Sequence, residues 1–483
     1  MMEQTPFTAM LEAINIANDY LWTYVVVTLL VLCALYFTLR TRGVQFRLLR
    51  DMVHVVIGKS LAKDKHARME ALANEKDELS KIGSFQAFAV SLSSRVGTGN
   101  LAGVASAIFV GGPGAVFWMW MMAMLGAATA FVESTLAQLY KRRGEKSFYG
   151  GPAYYMQVGL HKRWMGVLFA VLITITFGMA NQMVQSNTLC DALADSFGVE
   201  KMWIGLAVTM ATWLIIFGGI RRISRFSSIV VPFMAVGYIL LALVVLAMNI
   251  RLIPDMLALI VKNAFGMEQA AGGMIGIAVM QGVKRGLFSN EAGEGSAPNA
   301  AAIASTSHPV KQGLIQALGV FTDTLLICSC TAFIILLSGL WDSGHDGIIL
   351  TKYALESHIG PAGGHFITAA IFLFAYSTII ANYFYGETNI RFITDRKWVV
   401  NVFRIISGFV VMLGSMVTLQ TAWSLVDLAM GLMTVVNLIA ILLLSPKVFA
   451  LLRNYIEQRK AGKDPVFRRD MLPDTEQDIE CWE

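Results

Sequence analysis

The chain has 483 residues, of which 56% are hydrophobic and only 15% charged, with 42 glycines and a mean hydropathy of +0.60. A water-soluble domain carries about a quarter charged residues, so the composition excludes a soluble globular chain and makes the bilayer the solvent for most of it. The formal charge of +5 is small, and its basic residues fall in alternate loops instead of on one patch with aromatics, which argues against a nucleic-acid partner.

Residues 1–20 hold Glu3, Glu12 and Asp19 but no Lys or Arg, so no basic signal-peptide start is present and no cleavage is expected. Beyond them, about 20 apolar residues are needed for each helical crossing. This rule predicts eleven spans, near 21–39, 84–110, 114–139, 164–190, 202–220, 227–249, 270–304, 312–340, 363–385, 399–417 and 422–446. Loop charges agree with an alternating count: residues 40–81 carry ten Lys/Arg, and Lys141–Arg163, Arg221–Arg225, Arg391–Lys397 and the tail after Lys447 are basic. The intervening loops 111–113, 191–201, 251–268, 341–361 and 418–421 hold three Lys/Arg besides Arg251. Basic loops stay in the cytoplasm, so the N-terminus is expected outside and the C-terminus inside. Val44–Leu61 mixes Phe46, Leu48, Leu49, Met52, Val55 and Val56 with Arg47, Arg50 and Lys59, a pattern expected of a helix on the inner membrane surface.

Two spans are too long and are interrupted by glycine and polar residues: the second, at Ser94–Asn100, and the seventh, at Phe288–Asn299. Gly costs about 1 kcal/mol and Pro about 3 kcal/mol in a helix interior, so both should unwind. With the first span (21–39) set aside, 84–249 and 270–446 each hold five spans and each open on a broken helix. Five is odd, so the halves have opposite orientation, the inverted repeat of many secondary transporters. Residues 40–83 then form a basic cytoplasmic loop and 447–483 a cytoplasmic tail of one transporter domain covering 1–483.

Unwound backbone at membrane depth survives only inside protein or around a wet cavity. Two breaks facing each other can hold a carboxylate at half-helix N-termini and a sodium ion among freed carbonyls. Gly97, Gly99 and Gly293 permit close approach of a small ligand, or let helices pack. In the ninth span, Ser377 and Thr378, with Asn382 one turn on, either back-bond to their own helix or turn hydroxyls to the break. Gln185 and Asn187 in the fourth span line the pocket or join helices. Arg95, Glu291, Glu294 and Asp323 are ionisable groups at membrane depth and so candidates for gating, pairing or cation binding. Cys33, Cys190, Cys328, Cys330 and Cys481 show no disulfide or zinc spacing. The seven histidines lie in loops or at span ends, and no nucleophile–base pair or phosphate-cradling loop appears, so neither an enzyme nor a cofactor is expected.

Four stretches carry a resemblance: Arg95-Val-Gly-Thr-Gly-Asn-Leu-Ala-Gly-Val, Gly111-Gly-Pro-Gly-Ala-Val-Phe-Trp-Met-Trp, Gly150-Gly-Pro-Ala-Tyr-Tyr-Met and Phe288-Ser-Asn-Glu-Ala-Gly-Glu-Gly-Ser-Ala-Pro-Asn. With them the sequence resembles the alanine/glycine:cation symporter family, whose members are sodium:alanine symporters or amino-acid carrier proteins, over nearly its whole length. The resemblance implies an all-α polytopic LeuT-type five-plus-five fold with one extra N-terminal helix, in a bacterial inner membrane, driven by sodium or sometimes protons. It also implies a substrate site at Gly97, Thr98, Gly99, Asn100, Phe288 and Thr378, with Gln185, Ser289, Asn290 and Asn382 beside them. Sodium is expected at Ser93, Val96, Phe374, Ser377 and Thr378, and Asn100 with Asp323 forms a candidate second cation or proton site. Many relatives place Trp where this chain has Asn382, so a small neutral amino acid substrate, alanine or glycine, is expected to extend towards serine or glutamine. The expected mechanism is alternating access; the rivals are proton coupling and an ion channel, which would need a continuous polar pore.

Overall fold

The computed structural model describes residues 6–57, 82–144, 147–266, 272–472 and 479–482. In chain order it runs α1 (Met10–Arg40), the short helices α2 (Val44–Arg47) and α3 (Leu49–Val56), the half-helices α4 (Ser84–Arg95) and α5 (Gly99–Gly111), and α6 (Gly114–Leu139). An antiparallel ribbon of β1 (Arg142–Arg143) and β2 (Phe148–Tyr149) leads to α7 (Pro152–Val158), α8 (Arg163–Phe197), α9 (Lys201–Ile216), α10 (Gly219–Met248) and α11 (Ile253–Ala264). A second broken pair, α12 (Gly272–Asn290) and α13 (Ala297–Ala302), precedes α14 (Pro309–Ser338), α15 (Gly347–Ile359), α16 (Pro361–Ile393), α17 (Lys397–Gly414) and α18 (Leu419–Lys460).

The chain is a helical polytopic membrane protein. Among the described residues, eight helices are long and apolar enough to cross a bilayer: α1, α6, α8, α10, α14, α16, α17 and α18. Their outer faces carry large apolar side chains such as Ile229, Phe233, Leu240 and Leu443, all more than half exposed, as a lipid solvent allows. The polar residues point inward. α12 and α14 pack along α6, α8 packs on α16, α9 on α17, and α10 touches both α4 and α16. The two broken helices are thus wrapped by whole ones. α1 stands apart from this plan and clips onto α18, with Asn18 donating to the Ser424 carbonyl at 2.9 Å and Trp22 to the Asp427 carbonyl at 3.0 Å.

Several boundaries differ from the sequence expectation, each for a visible reason. α18 runs past the predicted end at residue 446, straight through Pro446, because its polar end finds partners: Arg459 holds Asp51 at 2.9 and 3.0 Å, and Tyr455 donates to Asp51 at 3.3 Å. α16 likewise continues to Ile393, and the basic stretch Arg221–Arg225 is the first turns of α10 instead of a loop. Helices α7, α11 and α15 occupy predicted loops. Pro254 at the start of α11, with Asp255 in its first turn and Lys262 in its last, is a helix signature that span counting overlooked. Of the expected interfacial helix Val44–Leu61, residues 58–61 lie outside the described set. The rest forms α2 and α3, whose inner face (Asp51, Met52, Val55) is covered by α14 and α18 while Phe46, Leu49 and Val53 stay exposed.

The end of the chain returns to the helix ends. The Phe467 amide donates to the Ser307 carbonyl at 2.8 Å, Trp482 donates to the Gln138 carbonyl at 3.1 Å, and Lys311 pairs with Asp464 at 2.7 Å with both side chains buried. His308 sits edge-on between Tyr455 and Phe467, and burial pushes its pKa down to about 3, so it is a neutral packing group. Removing one partner of a buried pair costs about 3–5 kcal/mol, whereas exposed pairs contribute about 0–1 kcal/mol. Lys311→Ala should therefore lower the thermal unfolding midpoint of the detergent-purified protein by several degrees. Arg468→Ala, which breaks the exposed 3.6 Å pair with Asp470, should leave it nearly unchanged.

Candidate functional site

Both predicted breaks are real, and they meet. α4 stops at Arg95, Val96 leaves helical geometry at φ −81° and ψ 84°, and a π-helical turn at Gly99–Gly103 restarts the helix. The second break turns through three residues with positive φ, Glu291 at 57°, Gly293 at 94° and Gly295 at 85°, a conformation open to glycine and costly for others. A Cβ on Gly99 would lie 3.0 Å from the Phe288 ring and 3.3 Å from the Ser289 Cα, so the two breaks are in van der Waals contact.

Several of the freed backbone groups find side chains. Asn100 Oδ1 accepts from the Gly97 amide at 2.9 Å and Gln185 Oε1 from the Thr98 amide at 3.0 Å. In the second break Asn290 Oδ1 accepts from the Ala292 amide at 3.1 Å, Glu133 from the Gly293 amide at 3.2 Å, and Asn437 donates to the Gly293 carbonyl at 2.9 Å. Ser94 and Ser296 both donate to the Glu291 carboxylate. An unpaired buried amide or carbonyl costs about 1–3 kcal/mol, so these side chains are what allow the helices to stay open.

On α16, the Thr378 hydroxyl lies 2.8 Å from the Ser93 carbonyl, 3.3 Å from the Val96 carbonyl and 2.9 Å from the Phe374 carbonyl. The Ser377 hydroxyl is 3.0 Å from the same Phe374 oxygen, and Ser93 donates to the Ser377 carbonyl at 2.9 Å. The five residues expected around sodium thus converge between the first break and α16. A hydroxyl has one hydrogen, so Thr378 can satisfy only one of the three carbonyls it touches. Ser377 can donate to the Phe374 carbonyl, so at least one of the Ser93 and Val96 carbonyls remains as an acceptor facing an oxygen, an arrangement that suits a dehydrated cation. Gly97 is squeezed against the same spot, since a Cβ there would strike Thr378 Oγ1 and Gln185 Oε1.

Asp323 ties the two breaks to α14. Its carboxylate accepts from Asn100 at 2.6 Å, Ser289 at 2.7 Å and Thr324 at 2.9 Å. Asn100 and Asp323 both lie in π-helical turns, a distortion frequent at functional sites. Phe288 sits edge-on to Trp423 with ring centroids 4.5 Å apart. The Asn382 amide lies 2.9 Å from the Ser94 hydroxyl, whose one hydrogen goes to Glu291, so the amide nitrogen is the group that can donate there. The Thr98 hydroxyl is buried without a partner among the described residues, which suits a polar ligand beside the breaks.

The structure also separates some candidates. Asn187 donates to the Gly414 and Val417 carbonyls and joins helices. Asn290 is engaged by Ala292 and Thr324 and lines a small gap with Leu30, Met122 and Thr129, so it is not brought to the Gly97–Thr378 contact. Glu133, Asn437 and Trp423 were missed by the sequence reading. Glu133 is a lone carboxylate in an apolar run, and the rule that singled out Asp323 would have found it. Also missed was the knot in which Glu387 accepts from Tyr383, Arg391 and Arg404.

Residues 7–469 match the model of the sodium:alanine symporter family. The chain is 51% identical over 470 residues to the "Probable sodium/glutamine symporter GlnT" of Bacillus subtilis (strain 168), covering 97% of this chain and 95% of that protein. It is 49% identical over 471 residues to the "Amino-acid carrier protein AlsT" of the same organism, covering 97% of each. Among solved structures, a Na+-coupled sialic acid symporter in a substrate-bound outward-open state matches with a TM-score of 0.53 at 17% identity, over 88% of this chain and 93% of that one. That likeness is one of fold.

Asn100→Ala would leave Asp323 short of a donor and the Gly97 amide without its acceptor. At about 1–3 kcal/mol for each unpaired group, thermal unfolding should show a clear loss of stability. Cys330→Ala, which touches neither break, should show a smaller one.

Proposed function

The chain belongs to the sodium:alanine symporter family, a family of transporters and not of enzymes, and from that premise we propose that it imports a small neutral amino acid together with sodium by alternating access. The observation that carries the reading is the surplus of acceptors at Thr378: the Ser93, Val96 and Phe374 carbonyls outnumber the two hydroxyl hydrogens, of Thr378 and Ser377, that reach them. In this reading sodium takes oxygens from Ser93, Val96, Phe374, Ser377 and Thr378. The substrate lies against Gly97, Thr98, Gly99 and Asn100, with Gln185, Phe288, Ser289 and Asn382 around it. A carboxylate is favoured there by the half-helix amides, and a small ligand by the crowding at Gly97. Thr98, Asn100, Thr378 and Asn382 are fully buried, which favours a carrier over a channel, because a channel needs a continuous polar path.

The same reading has eleven crossings in a bacterial inner membrane, N-terminus outside and C-terminus in the cytoplasm, with two inverted sets of five after α1. Contacts between loops support it. Arg459–Asp51 and Arg142–Glu480 join segments that the charge count assigns to the cytoplasm, Lys311–Asp464 ties the tail to the segment between the seventh and eighth spans, which alternation puts on the same side, and Lys352–Asp195 joins two assigned outside.

Labelled alanine should enter proteoliposomes faster under an inward sodium gradient than with sodium equal on both sides; equal rates would contradict coupling. Thr378→Val, which removes one oxygen, should raise the sodium concentration for half-maximal uptake, and an unchanged value would mean that the hydroxyl is not a ligand.

Asn382 in place of the bulky ring of many relatives, and the 51% identity to a protein named as a sodium/glutamine symporter, favour a substrate range that reaches glutamine. Excess unlabelled glutamine should therefore compete with alanine uptake. A lack of competition at high excess would restrict the site to smaller side chains.

A further inference from the structure

We propose that Glu294 is a proton-binding site, and that movement of the second break carries a proton on this residue from one side of the membrane to the other in each transport cycle. The proposal rests on the alternating-access reading above. Its starting point is an imbalance. Three carboxylates, Glu133, Glu291 and Glu294, are each at most 1% exposed around the break, with one guanidinium, Arg95, for company. Glu133 accepts from the Gly293 amide at 3.2 Å and from Asn437 at 2.8 Å, and Glu291 accepts from Ser94 and Ser296. These donors suit ionised groups. Neither oxygen of Glu294 has a hydrogen-bond partner among the described residues, and Nε and Nη2 of Arg95 have none either.

An ionised carboxylate buried without donors costs several kcal/mol, and like charges nearby raise the cost further. Of the three acids, Glu294 is therefore the one whose surroundings favour the protonated form most in this enclosed arrangement. A neutral acid with unmade hydrogen bonds stabilises nothing here that an apolar side chain would not stabilise better, so its presence points to use. Its place points the same way. Glu294 sits between Gly293 and Gly295, both at positive φ, on the segment whose motion would admit water. The charged and titratable groups bearing on it are Arg95 at the end of α4, Glu133 on α6 and Glu291 on its own segment. One step out, Asp323 on α14 and Tyr385 on α16 bear on Glu291, and Tyr155 on α7 bears on Glu133.

The test uses the full chain in proteoliposomes with a pH-sensitive dye inside, the membrane potential clamped, and an inward sodium gradient. Uptake of labelled alanine or glutamine is followed in the same vesicles. Wild type should acidify the lumen only when amino acid is added. Glu294→Gln should lose that acidification, and Glu294→Asp, which keeps an acid, should retain part of it. Amino-acid uptake by wild type without acidification would overturn the proton site and leave the carrier reading standing, even if Glu294→Gln failed to fold. Acidification by Glu294→Gln equal to wild type would also overturn it. An absence of any uptake would overturn both.

Discussion

A carbonyl or amide released from its helix at membrane depth has no water to turn to, and the rest of this molecule is arranged around that constraint. The breaks at Val96–Thr98 and Glu291–Ser296 release backbone groups, and whole helices supply Thr378, Gln185, Glu133 and Asn437 to receive them. Those side chains come from α16, α8, α6 and α18, so four separate helices are held in place by what the two broken ones need. The helices are long because they must cross the bilayer. They are polar on one side because they must attend to the breaks.

The balance at each break is deliberately incomplete in a chemical sense. The Gly97, Thr98, Ala292 and Gly293 amides are answered by Asn100, Gln185, Asn290 and Glu133, whereas carbonyls around Thr378 outnumber the hydroxyl hydrogens that can reach them. A cation would complete the shell and pull α16 towards the first break. Asp323, with donors from both breaks and from its own helix, links the two half-helix junctions. In the proposed cycle an ion could shift an equilibrium between two arrangements only by binding one of them better than the other.

Much of this was legible in the sequence. Glycine, proline and charge inside otherwise apolar runs announced both breaks. The oxygens proposed to hold sodium were less legible. Ser377 and Thr378 could have back-bonded to their own helix, and only the resemblance to known carriers singled out Ser93 and Val96, whose contribution is backbone and carries no side-chain signal. Asn290 was misplaced because neighbours on a helix face different ways, and one residue beyond Ser289 the side chain turns towards α1. Glu133 was as legible as Asp323, since both are lone carboxylates in unbroken apolar spans. The extension of α18 beyond Pro446 depends on Asp51, some 400 positions away, a contact that no local pattern announces.

The most direct measurement is equilibrium binding of radioactive sodium to the purified protein. If freed carbonyls and hydroxyls at Ser93, Val96, Phe374, Ser377 and Thr378 form the ion site, binding should saturate, should tighten when alanine is present as linkage requires, and should weaken when the Ser377 and Thr378 hydroxyls are both removed. Sodium binding that is absent, or that is indifferent to the loss of both hydroxyls, would contradict the assignment of the breaks as the place where ion and substrate are held.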